Sequence, residues 1–146
     1  MKLGDPFMKH GQVRRAAQQF LVCIAFMLGL LIGTARAAEH VDFDPVAFAA
    51  AQDAGKSIIV HVTASWCPVC AKQRPIIAEL EKDPKFSNTV VFAVDYDSQY
   101  AVATGPLFHV QRQSTLIAYK GNAEVFRSTG EVYAPNIRIY FFEKSL

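Results

Sequence analysis

The sequence has 146 residues, of which 51% are hydrophobic and 19% are charged. This length fits one domain, and the composition excludes a polar, disordered chain. Residues 1–37 carry five Lys or Arg and one acid, whereas residues 38–146 carry ten bases and twelve acids. The larger part is therefore nearly neutral, which excludes the basic face typical of a protein that binds nucleic acid.

The N-terminal segment has the three parts of a secretory signal peptide. Basic residues precede an apolar run at 20–33, and the small-residue pattern Ala35-Arg36-Ala37 follows it. We predict cleavage after Ala37, a mature domain of residues 38–146, and a periplasmic or secreted location. An uncleaved membrane anchor is the alternative, although a spanning helix needs about 20 apolar residues. Cleavage would remove Cys23 and leave two cysteines.

After residue 40, the sequence alternates helix and strand signals. Caps and apolar periodicity predict helices at 45–54, 68–81, 98–104 and 135–144. Apolar, β-branched runs predict strands at 57–63, 89–94, 115–119 and 124–128. Pro75 falls inside the second helix, where we expect a kink. This order predicts an α/β domain whose central mixed sheet of four to five strands has helices on both faces.

A Cys-Pro-Val-Cys motif lies where the first predicted strand turns into the second predicted helix. Cys67 is thus placed at the helix start, where free backbone N–H groups and the helix dipole favour a thiolate. Cys70 lies one turn further on the same face, close enough to bond with Cys67. Pro68 suits the first helical turn. We expect Cys67 to attack a substrate disulfide and Cys70 to resolve the mixed disulfide.

Two other roles for the cysteine pair stay open. A structural disulfide would close so short a loop that it constrains the unfolded chain little. Structural zinc usually takes four ligands, and the mature chain adds only His40, His61 and His109 to the pair. We predict that His40 and His109 are solvent-exposed. Redox chemistry with no bound cofactor and no metal ligand is therefore the favoured interpretation.

With Trp66 before the motif and a buried strand before that, the sequence resembles the thioredoxin family. Residues 91–95 look like the central strand of that family, residues 114–121 look like its P-T-L-x-x-F-K-x-G segment, and Gly130 matches a glycine after the last strand. The resemblance covers about the whole mature chain and implies a thioredoxin fold and dithiol–disulfide exchange. Among exported members, the chain is similar to the C-terminal domain of the DsbD reductant transporter. That similarity implies protein substrates and a membrane electron donor of the DsbD type.

Three positions depart from the family pattern. Ser114 stands where the family has a cis-proline in a loop that lies beside the cysteines and pairs with substrate backbone; whether the Gln113–Ser114 bond is cis is open. A hydroxyl there could bond to a bound cysteine. His61 stands where thioredoxins bury an aspartate, and it is either the proton acceptor for Cys70 or a core histidine bonded to backbone. Ala93 replaces the lysine of the family near that acid.

The predicted site therefore has two catalytic cysteines and five supporting residues, namely Trp66, Pro68, His61, Ser114 and Thr115. We expect Trp66 to shield the disulfide face. The predicted function is thiol–disulfide exchange with protein cysteines by a periplasmic monomer. A reductant is favoured, because the domain lacks an inserted helical domain of the oxidase kind. The alternatives are a module that binds copper or zinc through the cysteine pair, and a redox-regulated interaction protein without turnover.

Overall fold

The structure is a computed structural model that describes residues 37–146. The predicted leader lies outside the described residues except for Ala37. Within them, the strands are β1 Glu39–Asp42, β2 Ser57–Thr63, β3 Thr89–Asp95, β4 Thr115–Lys120 and β5 Ala123–Thr129. The helices are α1 Pro45–Asp53, α2 Pro68–Glu81, α3 Tyr100–Thr104 and α4 Ala134–Asn136, together with a 3₁₀ turn at Pro84–Phe86 and a π-helix at Ile137–Glu143 that continues α4.

One mixed sheet holds all the strands of residues 37–146, in the order β1-β3-β2-β4-β5. β3 pairs in parallel with both β1 and β2, whereas β4 is antiparallel to β2 and β5 is antiparallel to β4. β2 is the central strand and is buried along its length except at Thr63. The chain leaves the carboxyl end of β2 and enters α2, so the cysteine motif lies at the end of the central strand.

Alternate residues of β2 face two separate apolar layers. Val60 and its neighbours on one face pack with an aromatic cluster that includes Phe48 of α1 and Phe108 after α3. The Phe48 and Phe108 rings meet edge to face with centroids 5.4 Å apart, a geometry that adds about 0.5–1.5 kcal/mol to burial of the rings. This layer holds α1 and α3 on one side of the sheet.

The opposite face of the sheet is covered by α2 and the C-terminal helix. Ile59 of β2 packs there with Ile77 of α2 and with Phe141 and Phe142 of the π-helix. Because side chains alternate along a strand, His61 points to the same side as Ile59. The fold therefore directs His61 towards the helix that begins at the cysteine motif.

The predicted fold class and the order of the predicted elements are confirmed. Asp44 caps α1 by accepting a hydrogen bond from the Ala47 amide at 2.8 Å, and β2 and α2 have the predicted bounds. The sequence analysis did not predict β1, because Glu39–Asp42 is short and mostly exposed and lacks an apolar run. Helix α3 begins two residues later than predicted, at Tyr100. The predicted C-terminal α-helix is mostly π-helical. At Pro75, where the sequence predicts a kink, α2 is continuous as one helix.

Candidate active site

Cys67 is the N-cap of α2, as the motif predicts. Its backbone is extended (φ −80°, ψ 116°), and its Sγ accepts a hydrogen bond from the Cys70 amide at 3.1 Å. Pro68 occupies the first helical turn, where its missing N–H leaves no bond unmade. Cys67 and Cys70 form a disulfide with their Cα atoms 5.3 Å apart. The strand–turn–helix junction thus holds both sulfurs at the positive end of the helix dipole.

Both cysteines of the motif are buried in the oxidised protein. Cys67 retains 2% of its surface and Cys70 retains none, and both pack with Ala64 in a small apolar cluster. Val69 and Tyr96 pack against its edge. The roles of Cys67 as the attacking sulfur and Cys70 as the resolving sulfur stay predictions.

Ser114 lies next to Cys67, with its Oγ 3.8 Å from the Cys67 Sγ. Residues 37–146 contain no cis peptide bond, so the open question about Gln113–Ser114 is answered as trans. Ser114 instead adopts a left-handed backbone with φ 62°, a conformation that costs a serine about 1 kcal/mol relative to helical or extended backbone. Its N–H donates to the Val62 carbonyl at 2.8 Å, and its hydroxyl donates to the Gln113 carbonyl at 2.6 Å.

His61 is buried, with 1% of its surface exposed, and its Nε2 lies 3.1 Å from Oε1 of Gln73 on α2. Burial lowers the pKa of His61 to about 4, so the imidazole is neutral at pH 7. His61 is thus a core histidine, but its partner is a side chain and not the backbone that this alternative named. Among the described residues no hydrogen bond joins His61 to Cys70, and the proton-acceptor role stays a prediction.

Gln73 is a site residue that the sequence analysis missed. Its Nε2 donates to the Ser114 carbonyl at 3.1 Å and to the Glu131 carbonyl at 3.0 Å. One fully buried amide thereby joins α2, β2 and the two loops that flank β4 and β5. A signal was present: Gln73 lies three residues after Cys70 and four before Ile77, so it is a polar residue in the buried stripe of the helix.

Trp66 is exposed over 61% of its surface, and its Nε1 donates to Oδ2 of Asp97 at 2.7 Å. Asp97 follows β3, so this bond ties the turn before α2 to the neighbouring strand end. The sequence analysis gave no role to Asp97. Shielding of the disulfide by Trp66 stays a prediction.

Thr115 is buried, but its hydroxyl serves the sheet and makes no hydrogen bond to a sulfur among the described residues. Its Oγ1 donates to the Arg112 carbonyl and lies 2.8 Å from Oγ1 of Thr129 on β5. Thr115 therefore supports the site only through the strand that follows Ser114.

Ala93 lies opposite His61 in the pairing of β3 with β2, so an uncharged neighbour stands beside the imidazole.

The outlying histidines differ from each other. His109 is exposed, as predicted. His40 is also exposed, but its Nδ1 lies 2.6 Å from Oε1 of Glu81, so the prediction of a solvated side chain missed an ion pair.

Within residues 37–146, no group of three or more His, Cys, Asp or Glu side chains is placed to hold a metal ion. In the same range, no helix has both the length and the apolarity to cross a membrane.

Comparison with known proteins identifies the family. The thioredoxin family model matches residues 41–140. Thioredoxin H5 of Arabidopsis thaliana is 38% identical over 80 residues, which cover 55% of this chain and 64% of that protein. An H-type thioredoxin of Fagopyrum esculentum is 36% identical over 83 residues, which cover 57% and 68%. The chain thus spans less than two thirds of the length of the first of these curated relatives.

Solved structures agree with this result. Trxlp from Edwardsiella tarda EIB202 is 35% identical with a TM-score of 0.66, covering 70% of this chain and 99% of that one. Thioredoxin NaTrxh from Nicotiana alata, at 22% identity and a TM-score of 0.63, covers 75% of this chain and 95% of that one and supports the fold alone. The narrower similarity to the C-terminal domain of DsbD stays a prediction. Since the family model matches more than half of the chain, the chain belongs to the thioredoxin family.

Proposed function

We propose that this chain is a thiol–disulfide oxidoreductase that exchanges its Cys67–Cys70 pair with cysteines of other proteins. The observation that carries the proposal is the position of Cys67 as N-cap of α2, with its Sγ accepting the Cys70 amide and bonded to the Cys70 sulfur. Free N–H groups at a helix start favour the thiolate, which is the nucleophile in exchange. Membership of the thioredoxin family supports the same activity.

The exchange has two steps, in which Cys67 reacts first and Cys70 second. In the reduced protein, the Cys67 thiolate attacks one sulfur of a substrate disulfide, the substrate S–S bond breaks, and the departing thiolate takes up a proton. Cys70 then loses its proton and attacks Cys67 Sγ in the mixed disulfide. The second substrate sulfur leaves as a thiol and the Cys67–Cys70 disulfide forms, so the substrate has gained two electrons from the protein and two protons, one from solvent and one from Cys70.

We also propose that the chain works in the periplasm as a reductant and receives its electrons from a membrane donor of the DsbD type. Three features of the sequence support this finer proposal: the signal-peptide pattern of residues 1–37, the absence of an inserted helical domain of the oxidase kind, and the similarity to the C-terminal domain of DsbD.

Insulin reduction by dithiothreitol tests the exchange activity. The wild-type chain is expected to accelerate precipitation of the insulin B chain, and Cys67→Ser is expected to give the rate of dithiothreitol alone. Cys70→Ser keeps the attacking sulfur but cannot resolve, so it should accumulate mixed disulfides that dithiothreitol releases. A wild-type chain with no effect on insulin, together with a Cys70→Ser chain that traps no partner, would overturn the proposal.

Two further measurements test the location and the direction of electron flow. N-terminal sequencing of the chain recovered from bacterial periplasm should begin at Ala38, whereas a chain retained in the membrane with an intact leader would contradict cleavage. Equilibration with glutathione gives the reduction potential of the Cys67–Cys70 couple. A reductant should lie below the range of about −200 to −230 mV of glutaredoxins, and a potential near that of the oxidant DsbA, about −120 mV, would contradict this direction.

A further inference from the structure

Gln73 makes more connections around the disulfide than any other side chain placed in the site above. It is fully buried and lies one helical turn after Cys70. Its amide makes three hydrogen bonds, to the His61 ring, the Ser114 carbonyl and the Glu131 carbonyl. A buried amide with this many partners fixes the elements that it joins, because breaking any one bond leaves a desolvated polar group unpaired.

The partners also determine which way round the amide sits. The two carbonyl oxygens can only accept, so the NH₂ group faces Ser114 and Glu131 and the oxygen faces His61. The imidazole must then carry its proton on Nε2 and donate to Gln73 Oε1 at 3.1 Å. A neutral histidine with one ring proton meets this requirement. The His61 tautomer and the Gln73 orientation therefore determine each other.

The bond from Gln73 acts on the backbone of Ser114. The Ser114 carbonyl also accepts the Gly130 amide at 2.9 Å, and the Ser114 N–H donates to Val62. Both backbone polar groups of this left-handed residue are thus used inside the protein, which offsets the cost of its conformation. The amide of Gln113, by contrast, donates to no protein acceptor among residues 37–146.

We propose that Gln73 is a positioning residue for thiol–disulfide exchange: it holds the Ser114 loop against α2, in the trans, left-handed geometry that places Ser114 beside Cys67 and leaves the Gln113 amide for a protein substrate. His61 sets the orientation of the Gln73 amide. This inference rests on the proposed function and assigns the support of the substrate loop to side chains that replace a rigid cis-proline.

Only an amide of this length meets the three bonds. Methionine has a similar length but no donor for the two carbonyls. An ionised glutamate would bring two acceptor oxygens against those carbonyls, whereas a protonated glutamate could donate one bond. Burial disfavours the ionised carboxylate, so a glutamate at this position stays protonated to a higher pH than an exposed one. The two substitutions therefore give different, predictable results.

The first test compares a protein substrate with a small one, using the full chain. Gln73→Met should lower kcat/KM for insulin at least about tenfold, mainly through a higher KM, and should change the reaction of the reduced protein with 5,5′-dithiobis(2-nitrobenzoate) less than about twofold. Lys72→Met is the matched control, because Lys72 is exposed on the same helix and should change neither rate. Equal loss for both substrates, or no loss for insulin, would overturn the positioning role.

The second test uses the pH profile. In the wild type, insulin reduction should rise with pH as Cys67 ionises. Gln73→Glu should approach the wild-type rate at low pH and fall behind it progressively as pH rises and the buried carboxyl ionises. A constant ratio between variant and wild type across the pH range would contradict the proposal, because it would mean that ionisation of residue 73 has no effect on the exchange reaction.

The third test needs no variant and therefore cannot fail through misfolding. ¹⁵N NMR of the wild-type chain should show the His61 proton on Nε2 and slowly exchanging side-chain amide protons on Gln73. A proton on Nδ1, or rapid exchange at Gln73, would overturn the inference. A wild-type chain inactive on insulin would instead overturn the proposed function, whereas an active chain with an unaffected Gln73→Met variant would overturn the positioning role alone.

Discussion

Helix α2 contacts two histidines, one in its first half and one at its last residue, and the pKa values of these histidines are shifted in opposite directions. Near the start, buried His61 bonds to the neutral amide of Gln73, and burial lowers the pKa of His61 to about 4. Near the other end, exposed His40 bonds to the Glu81 carboxylate, and that hydrogen bond raises the pKa of His40. Burial thus disfavours charge on His61, whereas the Glu81 carboxylate favours charge on His40.

This difference follows from what each end of the helix does. In the proposed function, the start of α2 stabilises an anionic Cys67, and the free backbone N–H groups there supply positive potential without a charge on His61. A charged imidazole buried in this network would cost several kcal/mol of desolvation unless it were paired. The end of α2 only has to dock on β1, and a surface ion pair is sufficient there.

The largest expected effect is the loss of insulin reduction when Cys67 is replaced. It tests whether the sulfur at the start of α2 is needed for exchange but not for stability. Cys67→Ser removes the nucleophile but preserves the helix cap, since serine is a good N-cap residue. Insulin reduction should fall to the rate of dithiothreitol alone, while the urea midpoint stays within the range of the reduced wild type. A large loss of stability in this variant would mean that the sulfur itself holds the junction together.

The next effect separates packing from chemistry along the same helix. Ile77 is 1% exposed and belongs to the apolar layer under the C-terminal helix. Ile77→Ala should cost about 2–5 kcal/mol of unfolding free energy, measured by urea denaturation. The rate at which iodoacetamide alkylates Cys67 should stay within about twofold of the wild type, as should the rate in the exposed control Lys72→Ala. A tenfold slower alkylation would show that packing at Ile77 also tunes the thiolate.

The contrast between these two positions explains what the sequence could predict. Cys67 and its position at a helix start follow from local signals, namely a buried strand, a turn and Pro68. Ile77 follows from periodicity along α2. The bond between His61 and Gln73 does not, because it depends on the register of β2 against α2, and neither residue carries a local signal for the other. For the same reason β1 was missed: its pairing with β3, and not its own composition, makes it a strand.

The buried histidine should make the protein sensitive to acid. The folded-state pKa of His61, about 4, lies below the unfolded value of 6.5, so the unfolded chain binds a proton first as pH falls. The stabilisation from neutral His61 is therefore complete above pH 6.5 and is lost between pH 6.5 and about 4. This difference amounts to roughly 3 kcal/mol, and urea denaturation at pH 7 and pH 4 measures it.

A matched variant isolates His61 from other acid-sensitive groups. Asp95 and Glu131 have pKa values lowered by backbone hydrogen bonds, so they also favour the folded state less in acid. His61→Gln can still donate to Gln73 but does not titrate, and its stability should fall less than that of the wild type between pH 7 and pH 4. Parallel pH profiles for the two chains would contradict a buried, neutral imidazole.

The smallest effect comes from the exposed histidine and should have the opposite pH dependence. The hydrogen bond from Glu81 raises the folded-state pKa of His40 above 6.5, partly offset by burial. The stabilisation is therefore complete below pH 6.5 and is lost as pH rises through the raised value. Since the His40 side chain is 44% exposed, solvent screening limits the effect to about 1 kcal/mol or less.

His40→Gln should accordingly lower the urea midpoint at pH 5.5 and leave it nearly unchanged at pH 8.5. Insulin reduction should be unaffected at either pH, because the pair lies at the end of α2 far along the chain from Cys67. Equal destabilisation at both pH values would assign the contact to packing of β1 rather than to charge. Slower insulin reduction would be the more informative failure, since it would show that the docking of β1 on the end of α2 affects the reactivity of the cysteines at the start of the helix.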